Sequence, residues 1–137
     1  MTEITRIMSA SPVTVEPDDT LATVKEIFDR LAFHHLPVVE DYRLVGLVSD
    51  RDLLKALSPH LGSAAETTRD LATLKKRVHQ VMNRNLVTLP ASAVLADAVR
   101  VFNVEGVSCI PVVDADQRPL GVLTWRDVMR ALDARPG

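Results

Sequence analysis

The chain has 137 residues, enough for one compact domain or two very small ones with a buried core. It is 47% hydrophobic and 25% charged, as a soluble globular protein is, and its net charge of −2 provides neither the basic footprint of a nucleic-acid binder nor a polybasic patch for a membrane. The one cysteine, Cys109, excludes an intrachain disulfide and suits a reducing cytoplasm, and neither a signal peptide nor a membrane-spanning run is expected.

In chain order, an extended piece is predicted first, Pro12-Val13-Thr14-Val15. A helix follows, with Asp19 or Thr20 as cap and Leu21, Val24, Phe28 and Leu31 at 3–4 spacing. The run Leu36-Pro37-Val38-Val39 reads as a strand whose proline suits an edge or the first strand position. Glu40-Asp41-Tyr42-Arg43 is a polar turn, and Leu44 to Val48 closes a hairpin. Ser49 stands at the entrance of a last helix, Asp52 to Leu57.

The stretch 58–80 reads as a connector. Ser58-Pro59-His60-Leu61-Gly62 stops a helix and turns, Ala64 to Thr68 is the loosest part, and Asp70 to Val78 is predicted helical with Leu71, Leu74 and Val78 on one face. Lys75-Lys76-Arg77 reads as a solvated helix face.

The second half repeats the first. Leu86 to Leu89 is extended, and Ser92 caps a helix with Leu95, Val99 and Phe102 as its stripe. Ile110-Pro111-Val112-Val113 and Leu120 to Leu123 form a hairpin around Asp114 to Pro119, and Thr124 precedes a helix from Asp127 to Leu132. Met8 aligns with Met82, Val13-Thr14 with Val87-Thr88, Phe28 with Phe102, and Pro37 with Pro111, all 74 residues apart. One extra residue then enters the hairpin turn, and GLVSDRD (46–52) aligns with GVLTWRD (121–127) at 75. The chain is therefore an internal duplication of an α/β (α+β) unit, β-α-β-β-α, divided as 1–57, a connector 58–80, and 81–137.

The repeat resembles the cystathionine-β-synthase (CBS) domain, and the chain is similar to a stand-alone tandem pair, a Bateman module. The residues that carry the likeness are Ile7-Met8 and Val81-Met82, the Val-Thr pieces, the Pro-Val-Val strands and the two Gly-x-x-Ser/Thr-x-x-Asp phrases. The resemblance implies two repeats packed about a pseudo-twofold axis, with clefts that take AMP, ADP, ATP or S-adenosylmethionine as regulatory ligand. It implies that Asp52 and Asp127 accept the ribose hydroxyls, with Ser49 and Thr124 as hydroxyl partners. Thr14 and Thr88, with the strand starts at His35 to Pro37 and Cys109 to Pro111, would line the adenine slots.

Physical chemistry supports these roles. A carboxylate accepts two hydrogen bonds from a vicinal diol, and charge-assisted bonds are the stronger kind. Arg51 and Arg126 precede the aspartates and would add charge for a phosphate, and Gly46 and Gly121 would permit close backbone approach. The plainer roles are helix-start residues for Asp52 and Asp127, caps for Ser49 and Thr124, exposed cations for Arg51 and Arg126, and a small buried residue for Cys109. Trp125 has two readings, a ligand cover or an interface contact. His34-His35 lacks the convergent partners of a metal site.

The expected function is a non-enzymatic adenine-nucleotide sensor acting on an unidentified effector protein, with no nucleic-acid or membrane partner. The alternative is a structural dimerisation module with empty clefts, and a small enzyme is the third reading, although no nucleophile elbow, phosphate loop or zinc pattern appears. A homodimer is expected, since Leu53, Leu54, Leu57, Val128, Met129 and Leu132 exceed what the chain can cover.

Overall fold

The computed structural model describes residues 2–133. Its chain separates into two compact units. One is built from Val13–Asp41 and Val45–Arg84; the other from Tyr42–Leu44 and from segments within Met1–Pro12 and Asn85–Gly137. Each unit thus takes most of one sequence repeat and is completed by the segment that precedes the other repeat. The two partitions differ because sequence similarity follows chain order, whereas compactness follows where the apolar side chains are buried.

The unit centred on the first repeat contains helix α1 (Leu21–Arg30), strand β2 (His35–Glu40), strand β3 (Arg43–Ser49) from Val45 onward, and helix α2 (Asp50–Ala56). Thr20 caps α1 by accepting the Thr23 N–H at 3.3 Å. Leu21 and Val24 are fully buried, whereas Leu31 is exposed where the chain turns extended. β2 and β3 pair across a two-residue turn in which Asp41 and Tyr42 both have positive φ (52° and 67°), the geometry that twists with the strands of a hairpin. Of the predicted extended piece only Val15 bridges, in parallel, to Val38. The core comprises Val15, Leu21, Val24, Leu36, Val38, Val48, Leu53 and Val78.

Val78 belongs to the connector, which differs from its sequence prediction. Helix α3 spans only Thr68–Ala72, because Thr67 and Asp70 close a capping box at its start. One 3₁₀ turn, Thr73–Lys75, follows, and then Lys76 and Arg77 are extended rather than helical. Tertiary bonds hold them so: the Lys76 carbonyl accepts the Leu21 N–H (2.9 Å), and Val78 N–H donates to the Asp19 carbonyl (2.9 Å). Leu71 is consequently exposed, while Val78 is buried.

The other unit carries a four-stranded sheet in the order β1-β6-β5-β4: β1 (Ser9–Ala10), β4 (Leu89–Pro90), β5 (Cys109–Val113) and β6 (Pro119–Thr124). β6 is antiparallel to both β1 and β5, and β4 runs parallel to β5. Pro111 lies inside β5 and not at an edge; β4 meets β5 only at Val112 and Val113, so Pro111 faces no strand partner on that side. Helices α4 (Leu95–Glu105) and α5 (Trp125–Asp133) cover the sheet's apolar residues. Ser92 does not cap α4: the cap position falls two residues later, at Val94, whose N–H donates to the Asp97 carboxylate at 2.9 Å. Its buried stripe is Leu95, Ala98 and Phe102, with Val99 turned outward.

The leading segment completes this unit as the connector completes the other. Ile4 is fully buried in its core, and Ile4 N–H donates to the Ala93 carbonyl (3.1 Å) while Leu95 N–H donates to Thr2 (2.8 Å). These bonds match those of Val78 and Leu21, shifted by one repeat.

Candidate functional site

In each unit the second hairpin strand runs straight into a helix, and the junction carries the repeated phrase. Ser49 ends β3, and its hydroxyl accepts the Asp52 N–H (3.0 Å) while the Asp52 carboxylate accepts the Ser49 N–H (2.9 Å). Thr124 ends β6 with the same reciprocal box: Asp127 Oδ2 accepts the Thr124 N–H (2.8 Å) and hydroxyl (3.1 Å), and Asp127 N–H donates to Thr124 Oγ1 (3.4 Å). Each aspartate thus engages Oδ2 in capping its helix. The Arg130 guanidinium lies 4.0 Å from Asp127 Oδ1. Asp52 is half-buried and Asp127 is 8% exposed.

The close approach expected at the phrase glycines is present, and the approaching group is the exchanged segment. A Cβ at Gly46 would stand 2.6 Å from Met82 Sδ, and one at Gly121 would stand 2.6 Å from Met8 Sδ and 2.7 Å from the Ser9 carbonyl oxygen. This gives the Ile-Met and Val-Met dipeptides their place in the pattern.

The remaining sequence candidates divide. His35 begins β2 half-buried; burial is the main cause that lowers its pKa, against the opposing pull of Asp50. Cys109 begins β5 directly across from Thr124, and burial, then the Asp127 charge, pushes its thiol up to about 12. It stays protonated at neutral pH and is no nucleophile. Thr14 is exposed, as are Arg51 and Arg126. The side chains of Pro37 and Pro111 are fully buried, and the Pro37 carbonyl already accepts the Val15 N–H (3.0 Å), so these prolines shape the strand starts from beneath. Thr88 lines an open groove of about 520 Å³ with Ser92, Asp114 and Gln117, a groove that does not include Cys109, Thr124 or Asp127. Trp125 packs its ring on Phe102 of its own unit, centroids 5.2 Å apart, and is 47% exposed.

Sequence reasoning missed Asp50. Its carboxylate is 2.8 Å from His34 Nδ1, and its N–H donates to the His34 carbonyl at 3.0 Å. These bonds tie the start of β2 to the start of α2 and set both histidines beside the Ser49–Asp52 box. The repeat alignment held the signal, since Asp50 replaces the Trp125 of the other phrase. Among the described residues no group of three or more His, Cys, Asp or Glu is arranged to hold a metal ion, and no helix is long and apolar enough to cross a membrane.

Two α+β units, each closed by the segment preceding the other repeat and each bearing the same hydroxyl–carboxylate box, define a tandem-repeat module. The chain belongs to the CBS domain family, whose model matches residues 4–59 and 78–134. It is 32% identical over 131 residues to a CBS domain-containing protein of Dictyostelium discoideum, covering 94% of this chain and 90% of that one. It is 31% identical over 127 residues to inosine-5'-monophosphate dehydrogenase of Rhizobium tropici, covering 90% of this chain but only 22% of that enzyme. Among solved structures, the CBS domain pair of protein MJ0100, in complex with 5'-methylthioadenosine and S-adenosyl-L-methionine, aligns at TM-score 0.80 with 25% identity, covering 99% of each chain. CBSX2 in complex with AMP aligns at TM-score 0.77 with 28% identity, covering 96% of each.

Proposed function

We propose that this chain is a regulatory module, without catalysis of its own, that binds an adenosine-containing ligand such as AMP, ADP, ATP or S-adenosylmethionine and passes its occupancy to an effector protein in the cytoplasm. The observation that carries this reading is the hydroxyl–carboxylate box reproduced in both units, in which the capping bonds engage one oxygen of each carboxylate. A vicinal ribose diol suits such an acceptor. The solved pairs holding AMP and S-adenosyl-L-methionine support the ligand class.

A thermal-shift panel of AMP, ADP, ATP and S-adenosylmethionine tests the reading. A ligand at about 100 times its dissociation constant adds roughly 2.7 kcal/mol of stability. Asp52→Ala or Asp127→Ala should each weaken one site by roughly 1.5–3 kcal/mol and lose part of the shift, and the double variant should lose nearly all of it. Wild-type binding retained by the double variant would reject the ribose role.

A structural dimerisation module is the second reading. It is favoured by Leu54, Met129 and Leu132, which are 73%, 57% and 44% exposed. Absence of any ligand-induced shift in the wild type, together with a stable dimer, would select it.

A further inference from the structure

The two boxes share the same reciprocal pair of capping bonds, yet their surroundings do not match. At three aligned positions the unit of Asp52 carries His34, His35 and Asp50, where the unit of Asp127 carries Ser108, Cys109 and Trp125. We propose that the two sites are not equivalent: the Asp52 site discriminates for adenosine ligands bearing an anionic group, in a pH-dependent manner set by His35 beside the His34–Asp50 pair, whereas the Asp127 site is insensitive to pH over the same range. This rests on the ribose assignment above and adds which class of adenosine ligand each site takes.

The geometry places the charges. His34 Nδ1 and the Asp50 carboxylate meet at 2.8 Å, 16 residues apart in sequence, so the β2 start and the α2 start form one cluster. The titratable groups that face His35 are its chain neighbour His34, and Asp50 and Asp52 on α2. A protonated His35 offsets the carboxylate charge of Asp50 and Asp52, whereas a neutral His35, the form its burial favours, leaves that negative charge uncompensated beside the incoming ligand. An anionic phosphate is therefore accepted at low pH and repelled at high pH, while an uncharged adenosine is affected little.

At the aligned positions the other unit has no histidine. The Cys109 thiol holds its proton well above neutrality, and the Trp125 ring lies against Phe102. Arg51 and Arg126 occupy the same position in the two phrases, so they do not distinguish the sites.

An anion bound beside His35 must raise the imidazole pKa above its depressed value in the free protein, since charge neighbours of opposite sign favour the charged form. Linkage then requires tighter binding as pH falls, by about tenfold for each unit of that rise. Burial of His35 sets the free-protein value low, which leaves room for such a rise.

Calorimetric titrations with AMP and with adenosine, at about pH 8 and about pH 5 where histidine changes charge, decide the matter. Asp127→Ala isolates the Asp52 site, and Asp52→Ala isolates the other. The second ionisation of AMP itself acts on both sites, so the contrast between the two variants isolates the protein's contribution. AMP should bind Asp127→Ala about tenfold more tightly at the lower pH, relative to its change in Asp52→Ala. That contrast should vanish with adenosine, and vanish for AMP when His34→Gln and His35→Gln are added. Equal pH dependence of AMP at the two sites, or a contrast that survives the histidine changes, overturns the proposal alone. Failure of wild type to bind either AMP or adenosine overturns the ribose assignment and this proposal with it.

Discussion

Asp70 shows how one residue fastens the connector. Its carboxylate accepts the Ser58 hydroxyl (2.6 Å), the Thr67 N–H (2.8 Å) and the Thr67 hydroxyl (3.1 Å). The Ser58 bond, first, and the Thr67 backbone bond hold its pKa below the ordinary carboxylate value. A group depressed in the folded state contributes stability that is complete above its unfolded pKa and is lost as pH falls through the folded one. Wild type should therefore lose a stability increment between about pH 4 and lower pH that Asp70→Asn lacks, visible as converging urea midpoints of the two proteins on acidification. A constant gap between them would contradict the assignment. Ser58, Thr67 and Asp70 are separated in sequence, and only the pair three residues apart was open to a local reading; the bond from Ser58 needed the turn that brings the end of α2 back to α3.

At the scale of elements, the leader and the connector each seal a hairpin by pressing a methionine where a glycine leaves space. The two glycines are not equally tolerant. A Cβ at Gly46 meets first the Met82 sulfur, the end of a flexible side chain, and only then, at 3.3 Å, the Asn83 carbonyl oxygen. A Cβ at Gly121 meets the Ser9 backbone oxygen at 2.7 Å, within the β1–β6 pairing of Ala10 with Gly121, and cannot be relieved by a side-chain rotation. Gly121→Ala should accordingly cost about 1–3 kcal/mol and Gly46→Ala less, measured by denaturant unfolding. The reverse order would show that β1 yields more readily than Met82. In sequence, the glycines are legible as close-approach positions, but the approaching chain is not, because it comes from the other end of the repeat order.

At the scale of the molecule, the outer faces of α2 and α5 set the expected assembly. Leu53 and Val128, counted in sequence among the surplus apolar residues, are buried in their own units, and Leu57 packs against the core of its unit. Leu54, Met129 and Leu132 remain exposed, so the surplus is smaller than composition implied and still unusual for helices of a monomer. Sedimentation equilibrium should show a dimer at micromolar protein, and Leu54→Lys with Met129→Lys should shift it toward monomer without loss of helical circular dichroism. A wild-type monomer under those conditions would reject the assembly.

The repeat, the order β-α-β-β-α within it, the capping roles of Ser49 and Thr124, and the burial of Cys109 were all determined by sequence alone, because periodicity, caps and turn chemistry act over a few residues. Only the tertiary structure decided which segment completes which unit, why Lys76 and Arg77 are extended, and that His34 and Asp50 meet. Those outcomes depend on hydrogen bonds and apolar contacts between residues far apart in the chain, and a helix propensity of a fraction of a kcal/mol per residue yields when a strand-like bond to Leu21 and the burial of Val78 compete with it.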